Sequence, residues 1–267
     1  CDGAGNAADL DAWLASNGGA TATDACSGVT WSNDFDAWSD DCGATGAATI
    51  TFTATDDCGN ATSTTATFTI EDTTSPTRDS EAMDAAVECD GAGNAADLDA
   101  WLASNGGASA TDACSGVTWS NDFDALSDDC GATGAATVMF TATDDCGNAT
   151  STTATFTIED TTAPAVMDAM DATFECDGAG NAADLDAWLA SNGGASATDA
   201  CSGVTWSNDF DALSDDCGAT GAATVMFTAA DDCGNATSTT ATFTIEDTTA
   251  PAVMDAMDAA VECDGAG

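Results

Sequence analysis

The sequence predicts an all-β chain of tandem β-sandwich domains, each carrying one short helix inserted after its first strand. Three observations predict it. A unit of about 87 residues recurs almost unchanged, opening with Cys-Asp-Gly-Ala-Gly at Cys1, Cys89, Cys176 and Cys263. Most of each unit alternates apolar residues with Thr, the period-two pattern of half-buried strands. Four cysteines recur at matching places in every unit, which reads as a disulfide framework. Residues 89–175 and 176–262 differ only at Thr143/Ala230, Thr173/Ala260 and Phe174/Val261. Repetition of this fidelity builds an array of like units, each long enough for one small domain. An array supplies length rather than one reactive cleft, so the repeat points to a structural or adhesive role.

Within one unit, residues 94–105 carry the helical pattern. Leu98, Trp101 and Leu102 fall at i, i+3 and i+4, Asn94 is the expected N-cap, and Asp97 and Asp99 suit the first turns. Gly106-Gly107 ends the helix. Val117 and Trp119 then alternate with Thr118 and Ser120. Val138, Phe140 and Ala142 alternate with Thr137, Met139 and Thr141, and Ala154, Phe156 and Ile158 with Thr153, Thr155 and Thr157. These read as antiparallel strands. Asp144-Asp145-Cys146-Gly147-Asn148 is the turn between the last two. Residues 160–164 end in Pro and form a linker, and the segment after it, reaching Cys176, is expected to be the first strand of the next domain. The boundaries follow: a first domain at 1–74 whose first strand is missing or supplied by a neighbour, domains at 75–162 and 163–249, and the first strand of a fourth at 250–267. The chain begins and ends in mid-unit and reads as a window cut from a longer secreted protein.

The formal charge is −46, with Arg78 the one basic residue and no His or Tyr. Such a surface repels nucleic acid and anionic membranes and attracts cations. It also repels itself unless salt or bound metal screens it; the screening length is about 3 Å at 1 M salt. A hydrophobic share of 44% with patterned Trp and Phe argues against disorder. Thirteen Cys, four per unit plus Cys263, place the chain in an oxidising, extracellular or cell-surface setting. No CxxC pair and no His accompany them, so zinc is not expected. No apolar run of transmembrane length occurs, so membrane insertion is not expected either. Catalysis is not expected: the common bases are absent, and the Asp pairs lie in turns that imply no cleft.

Thr-Ala-Thr-Asp-Asp-Cys-Gly-Asn, followed by a Thr-rich strand ending Phe-Thr-Ile-Glu-Asp-Thr-Thr-Ala-Pro, resembles bacterial extracellular immunoglobulin-like repeats of the HYR type. The resemblance covers each unit loosely and its last 40 residues or so well. It implies immunoglobulin-like sandwiches of the kind that build long surface adhesins and filaments. If each domain is such a sandwich, Cys89 and Cys130 lie at the pole where the chain leaves, and Cys114 and Cys146 at the pole where it arrives. That favours Cys89–Cys130 and Cys114–Cys146. By repetition it favours Cys1–Cys42, Cys26–Cys58, Cys176–Cys217 and Cys201–Cys233. The rival pattern, Cys89–Cys114 with Cys130–Cys146, stays open.

The same orientation brings carboxylates to each junction between domains: Glu71, Asp72, Asp112, Asp144 and Asp145 at the first, and Glu159, Asp160, Asp199, Asp231 and Asp232 at the second. Hard oxygen ligands from several loops suit calcium, in an arrangement similar in logic to cadherin junctions; solvated turn carboxylates explain the same residues. Asp90-Gly91-Ala92-Gly93-Asn94-Ala95-Ala96-Asp97 resembles half of a dockerin-type calcium loop, but a Gly-rich turn before a helix accounts for it too. Thr73, Thr161 and Thr248 on the linkers resemble acceptors for bacterial O-glycosylation, and Asn60, Asn148 and Asn235 head Asn-x-Thr triplets.

Together these readings describe the structural repeat region of an extracellular adhesin stalk or surface filament, disulfide-stapled and calcium-stiffened. Its partners would be copies of itself or neighbouring repeats, with a host or substrate surface reached through a region outside the window. Two alternatives stand beside it. One is a self-assembling filament subunit joined by strand addition of the C-terminal segment to a neighbour. The other is a carbohydrate- or ice-binding module using exposed Thr rows such as Thr153, Thr155 and Thr157.

Overall fold

The computed structural model describes all residues except 2, 4, 5 and 264–267. The chain falls into two compact units, residues 1–160 and 161–267. The first holds repeats one and two and the second holds repeat three; repeats two and three are β-sandwiches, and repeat one shows one three-stranded sheet among its described residues.

Repeat three shows the complete plan. Its strands, numbered in chain order after nine in the first unit, are β10 (Ala165–Met167), β11 (Ala172–Glu175), β12 (Ser196–Thr198), β13 (Val204–Asn208), β14 (Gly221–Asp231) and β15 (Ala236–Glu246). One four-stranded sheet has the order β11-β15-β14-β13, and β10 pairs with β12 in a separate two-stranded ribbon. Helix α3 (Ala182–Ala190) lies between β11 and β12 in sequence. The alternation in β14 works as the pattern predicts. Val225, Phe227 and Ala229 are 0% exposed, whereas Met226 is 42% exposed. Leu185 and Trp188 of α3 close the core against Val225, Phe227, Ala241, Phe243 and Ile245. On the outer face, Thr224 bonds Thr242 and Thr228 bonds Ser238 across the strand pair, which satisfies the hydroxyls locally.

Repeat two repeats this plan with β4 (Thr77–Ser80), β5 (Ala85–Glu88), α2 (Ala95–Ala103), β6 (Ser109–Thr111), β7 (Val117–Asn121), β8 (Gly134–Asp144) and β9 (Ala149–Glu159). Its lead-in segment, residues 76–89, is one residue longer than residues 164–176. The extra residue is absorbed as a bulge between Arg78 and Ser80 where β4 meets β6.

Two expectations change. The lead-in segment forms two short strands rather than one, so the helix follows the second of them. That second strand pairs in parallel, β5 with β9 and β11 with β15, a pairing the sequence reading left unspecified. Both partners run towards the pole where the chain leaves, so a pair at that edge must be parallel. Asn94 also departs from its expected role. It sits at the start of α2 in the left-handed region (φ 48°) and makes no side-chain cap bond to the helix. Instead its amide donates to the Glu88 carbonyl and to Asp97, and its oxygen accepts from the Asp90 N–H. The residue ties the helix start to the end of β5 and is 4% exposed.

Repeat one has α1 (Ala7–Ala15), β1 (Val29–Asn33), β2 (Gly46–Asp56) and β3 (Ala61–Ile70), and its sheet is β1-β2-β3. Its core is correspondingly more open. Trp13 and Phe68 are half-buried where Trp101 and Phe156 are buried. Residues 250–263 are exposed and carry no strand; the rest of the expected fourth-domain strand, 264–267, lies outside the described residues.

Candidate metal centre at a bridged repeat junction

Within residues 1–160 the pole of repeat one faces the arriving pole of repeat two, and the cysteines decide how they join. Cys1 is bonded to Cys114 and Cys42 to Cys146, with Cα separations of 5.9 and 5.2 Å. Both bridges cross from one repeat to the next. This overturns Cys1–Cys42 and Cys114–Cys146 and the rival pattern alike. The poles were placed correctly: Cys1 and Cys42 share one, Cys114 and Cys146 the other. Because the two poles abut, each sulfur finds its partner across the joint. Cys26, Cys58, Cys176, Cys217 and Cys263 are thiols, so the bridges Cys26–Cys58 and Cys176–Cys217 are absent as well. Cys89, Cys130, Cys201 and Cys233 are disulfide-bonded. Trp119 is half-buried, as is its counterpart Trp206, which packs against the repeat-three core.

The backbone is fitted to the same joint. The Ala44 N–H donates to the Cys114 carbonyl at 2.8 Å, and the Asn148 amide donates to the Asp72 carbonyl at 3.2 Å. Gly43 sits at φ 56°, and a Cβ there would lie 2.5 Å from the Cys114 oxygen; only Gly allows so close an approach. Gly43 and Asn148 were not picked out as junction residues from the sequence, although Cys-Gly-Ala-Thr-Gly and Cys-Gly-Asn recur in every unit.

Three of the five expected carboxylates meet here. Asp72 lies within ligand distance of Asp112 and of Asp144, the carboxylate oxygens in each pair falling within 4.8 Å of one another. The sulfurs beside them, of Cys114 and Cys146, are tied up in disulfides and leave a purely oxygen donor set. Asp72 Oδ2 is buried and has no hydrogen-bond partner, the situation a cation would relieve. Asp112 Oδ1 accepts the N–H groups of Cys114 and Ser115. Asp144, 4% exposed, accepts the Cys146 and Asn148 N–H groups and the Asn148 amide. Glu71 and Asp145 stay outside the cluster. Both are exposed, and Asp145 holds the Gly116 N–H. In the second set, Glu159 is exposed and Asp160 is 9% exposed. Asp199 accepts from Cys201 N–H, Asp231 from Asn235 and Asp232 from Gly203 N–H.

The turn carboxylates share one electrostatic signature. Burial pushes the Asp144 carboxyl up, but the Asn148 side chain and the N–H groups of Asn148 and Cys146 outweigh it and hold the group below its ordinary value. Asp231 behaves alike through Asn235. Backbone N–H groups lower Asp90 and Asp177 at the helix starts. These last two bonds also account for the dockerin-like sequence without a metal. A group whose folded pKa is depressed stabilises the fold fully above its unfolded value and loses that contribution as pH falls through the folded one. Stability in 1 M NaCl with a chelator, where long-range repulsion is screened, should therefore hold from neutrality to about pH 5 and fall below the ordinary carboxyl value of 3.8. Urea midpoints across that range would check it; a midpoint that climbs below pH 3.8 would contradict it.

Of the linker threonines, Thr73 and Thr161 are exposed, and the Thr248 hydroxyl donates to Glu175 at 2.7 Å. In the Thr row of β9, Thr153 is exposed, while Thr155 is half-buried and shares a hydrogen bond with Thr137. Among the described residues no helix is long and apolar enough to cross a membrane.

Fold and joint define a class: tandem β-sandwich repeats covalently bridged at a carboxylate-lined junction. No family model and no curated protein matches the chain. Among solved structures it is similar to mouse clustered protocadherin gamma C3 EC1-3, with 12% identity over 77% of each chain and a TM-score of 0.29. It is also similar to Drosophila N-cadherin EC1-4, with 12% identity over 77% of this chain and 58% of that one and a TM-score of 0.28.

Proposed function

We propose that this chain is a structural repeat region of an extracellular adhesin stalk or surface filament, stapled by disulfides and stiffened by calcium. The observation that carries the reading is the pair of bridges running from repeat one to repeat two. A disulfide inside a domain stabilises that domain, whereas two between domains remove their relative freedom, which a load-bearing array requires. Bridges of this density also fit an oxidising compartment.

Calcium would be held by Asp72, Asp112 and Asp144, with Asp160, Asp199 and Asp231 as their sequence counterparts. The ion would neutralise carboxylates that otherwise repel one another and take up the unpartnered Asp72 oxygen. Sugar on Thr73, Thr161 or Thr248 would fall on the linker stretches. Host or substrate surfaces would be engaged by regions other than these repeats.

The test is thermal unfolding in physiological salt with calcium or with chelator. At a calcium concentration 100 times its Kd, binding adds about 2.7 kcal/mol. Calcium is expected to raise the unfolding temperature, and Asp72→Asn, which keeps the shape and removes the charge, is expected to abolish most of the rise. An unchanged temperature at millimolar calcium would overturn the cation part of the reading.

A further inference from the structure

We infer that Asp72, Asp112 and Asp144 guard the two repeat-to-repeat bridges against reduction by thiols. They make the Cys114 and Cys146 sulfurs poor leaving groups, and they repel an anionic attacker.

The placement is specific. Cys114 Sγ lies within 4.8 Å of carboxylate oxygens of Asp72 and Asp112, and Cys146 Sγ within 4.8 Å of oxygens of Asp72 and Asp144. Asp72 therefore stands beside both bridges. The other two carboxylates are held there by the cysteines' own backbone. Asp112 Oδ1 accepts the Cys114 N–H at 2.8 Å, and Asp144 Oδ1 accepts the Cys146 N–H at 2.9 Å, each an Asx turn that fixes the carboxylate two residues ahead of its sulfur. The same spacing recurs at Asp24/Cys26 and Asp199/Cys201, and at Asp56/Cys58 and Asp231/Cys233, so the device belongs to the repeat. The Cys42 carbonyl oxygen, 3.4 Å from Cys146 Sγ, adds the negative end of a dipole. Arg78, the one basic side chain of the protein, is engaged by Glu81 and the Ser151 carbonyl.

The chemistry follows from exposure and charge. A thiol reductant acts as its thiolate, which attacks one sulfur of a bridge and expels the other as a thiolate. Cys114 is 8% exposed whereas Cys1 is exposed, so attack falls on Cys1 and Cys114 departs. At the other bridge, attack on Cys42 expels Cys146. The bond from the reductant to Cys1 forms, the Cys1–Cys114 bond breaks, and the electron pair goes to Cys114 Sγ, which then takes a proton from water. A second reductant thiolate attacks the mixed disulfide and frees Cys1. Two reductant thiols become one disulfide, and one protein disulfide becomes two thiols. The costly moment is the arrival of negative charge on a sulfur already flanked by carboxylates and shielded from water. Like charge and burial both raise a thiol's pKa, and a thiol of higher pKa leaves more slowly.

The inference does not draw on calcium, and the test is run in chelator so that the two readings stand apart. The full oxidised chain is treated at low ionic strength with positively charged cysteamine, uncharged 2-mercaptoethanol or negatively charged mercaptoacetate. Timed alkylation and mass spectrometry follow the Cys114 and Cys146 thiols, with each rate normalised to that of the same reagent on a small uncharged disulfide. The expected order is cysteamine fastest and mercaptoacetate slowest. In Asp72→Asn the Oδ1 that accepts the Thr74 N–H is kept and the charge is lost. Release of both sulfurs by 2-mercaptoethanol should then quicken by about tenfold, the weight of one pKa unit, and the spread among the three reagents should narrow. Asp112→Asn should act on Cys114 and spare Cys146. Asp99→Asn, which removes the same charge at an exposed position of α2, should change neither. Unchanged rates in Asp72→Asn, or one equal acceleration for all three reagents, the mark of a merely loosened joint, would overturn the inference. Neither result bears on whether calcium raises the unfolding temperature.

Discussion

Replacing Cys114 and Cys146 together by Ser is expected to lower the unfolding temperature of repeat one by on the order of 10 °C or more. The two bridges span 113 and 104 residues. In the chain-entropy account, closing a loop of about 100 residues stabilises by about 4.7 kcal/mol, and removal of native bridges typically costs about 2–5 kcal/mol. The loops overlap, so the two contributions will not add. Repeat one should feel the loss most. Its sheet has three strands where repeat two has four, and Trp13 and Phe68 are only half-buried. Calorimetry should show residues 1–160 unfolding in two separated transitions in the variant. Cys26→Ser with Cys58→Ser, which removes thiols only, should leave the profile of the single chain unchanged. Coincident profiles for both variants would contradict a stabilising role for the bridges.

Phe156→Ala is expected to cost about 3–5 kcal/mol, and the identical change Phe68→Ala less than half as much. The two residues occupy the same place in their repeats. Phe156 is 1% exposed and packs on Trp101 with ring centroids 5.5 Å apart. Phe68 meets Trp13 at 5.3 Å but is half-buried, and among the described residues no strand pairs with the outer edge of β3. Truncation at Phe156 leaves an enclosed cavity; at Phe68 it widens a surface already reached by water. Denaturant midpoints of the two variants would measure the gap. Equal costs would mean that the repeat-one core is closed in solution.

The legible parts of this protein were local ones. The Leu98, Trp101, Leu102 spacing marked α2, and the Thr alternation marked β8 and β9 with their Asp144–Asn148 turn, because each rests on contacts within one element or between neighbours in sequence. Asp72, Asp112 and Asp144 were legible as candidates for one pole through the strand directions that the immunoglobulin-like resemblance implies. Glu71 and Asp145 have the same sequence credentials but are exposed and stay outside the cluster. The parallel β5–β9 pair and the split of the lead-in segment were hidden, because apolar alternation reports which face is buried and says nothing about which strand lies alongside.

From its residues alone, then, the chain determined its period, its element types, its charge and the spacing of its cysteines. The pairing of those cysteines was decided only in three dimensions. A bridge needs two sulfurs a few ångströms apart, and where two poles abut, a sulfur on the next repeat competes with one on the same repeat. Spacing along a chain carries no record of which of the two is nearer.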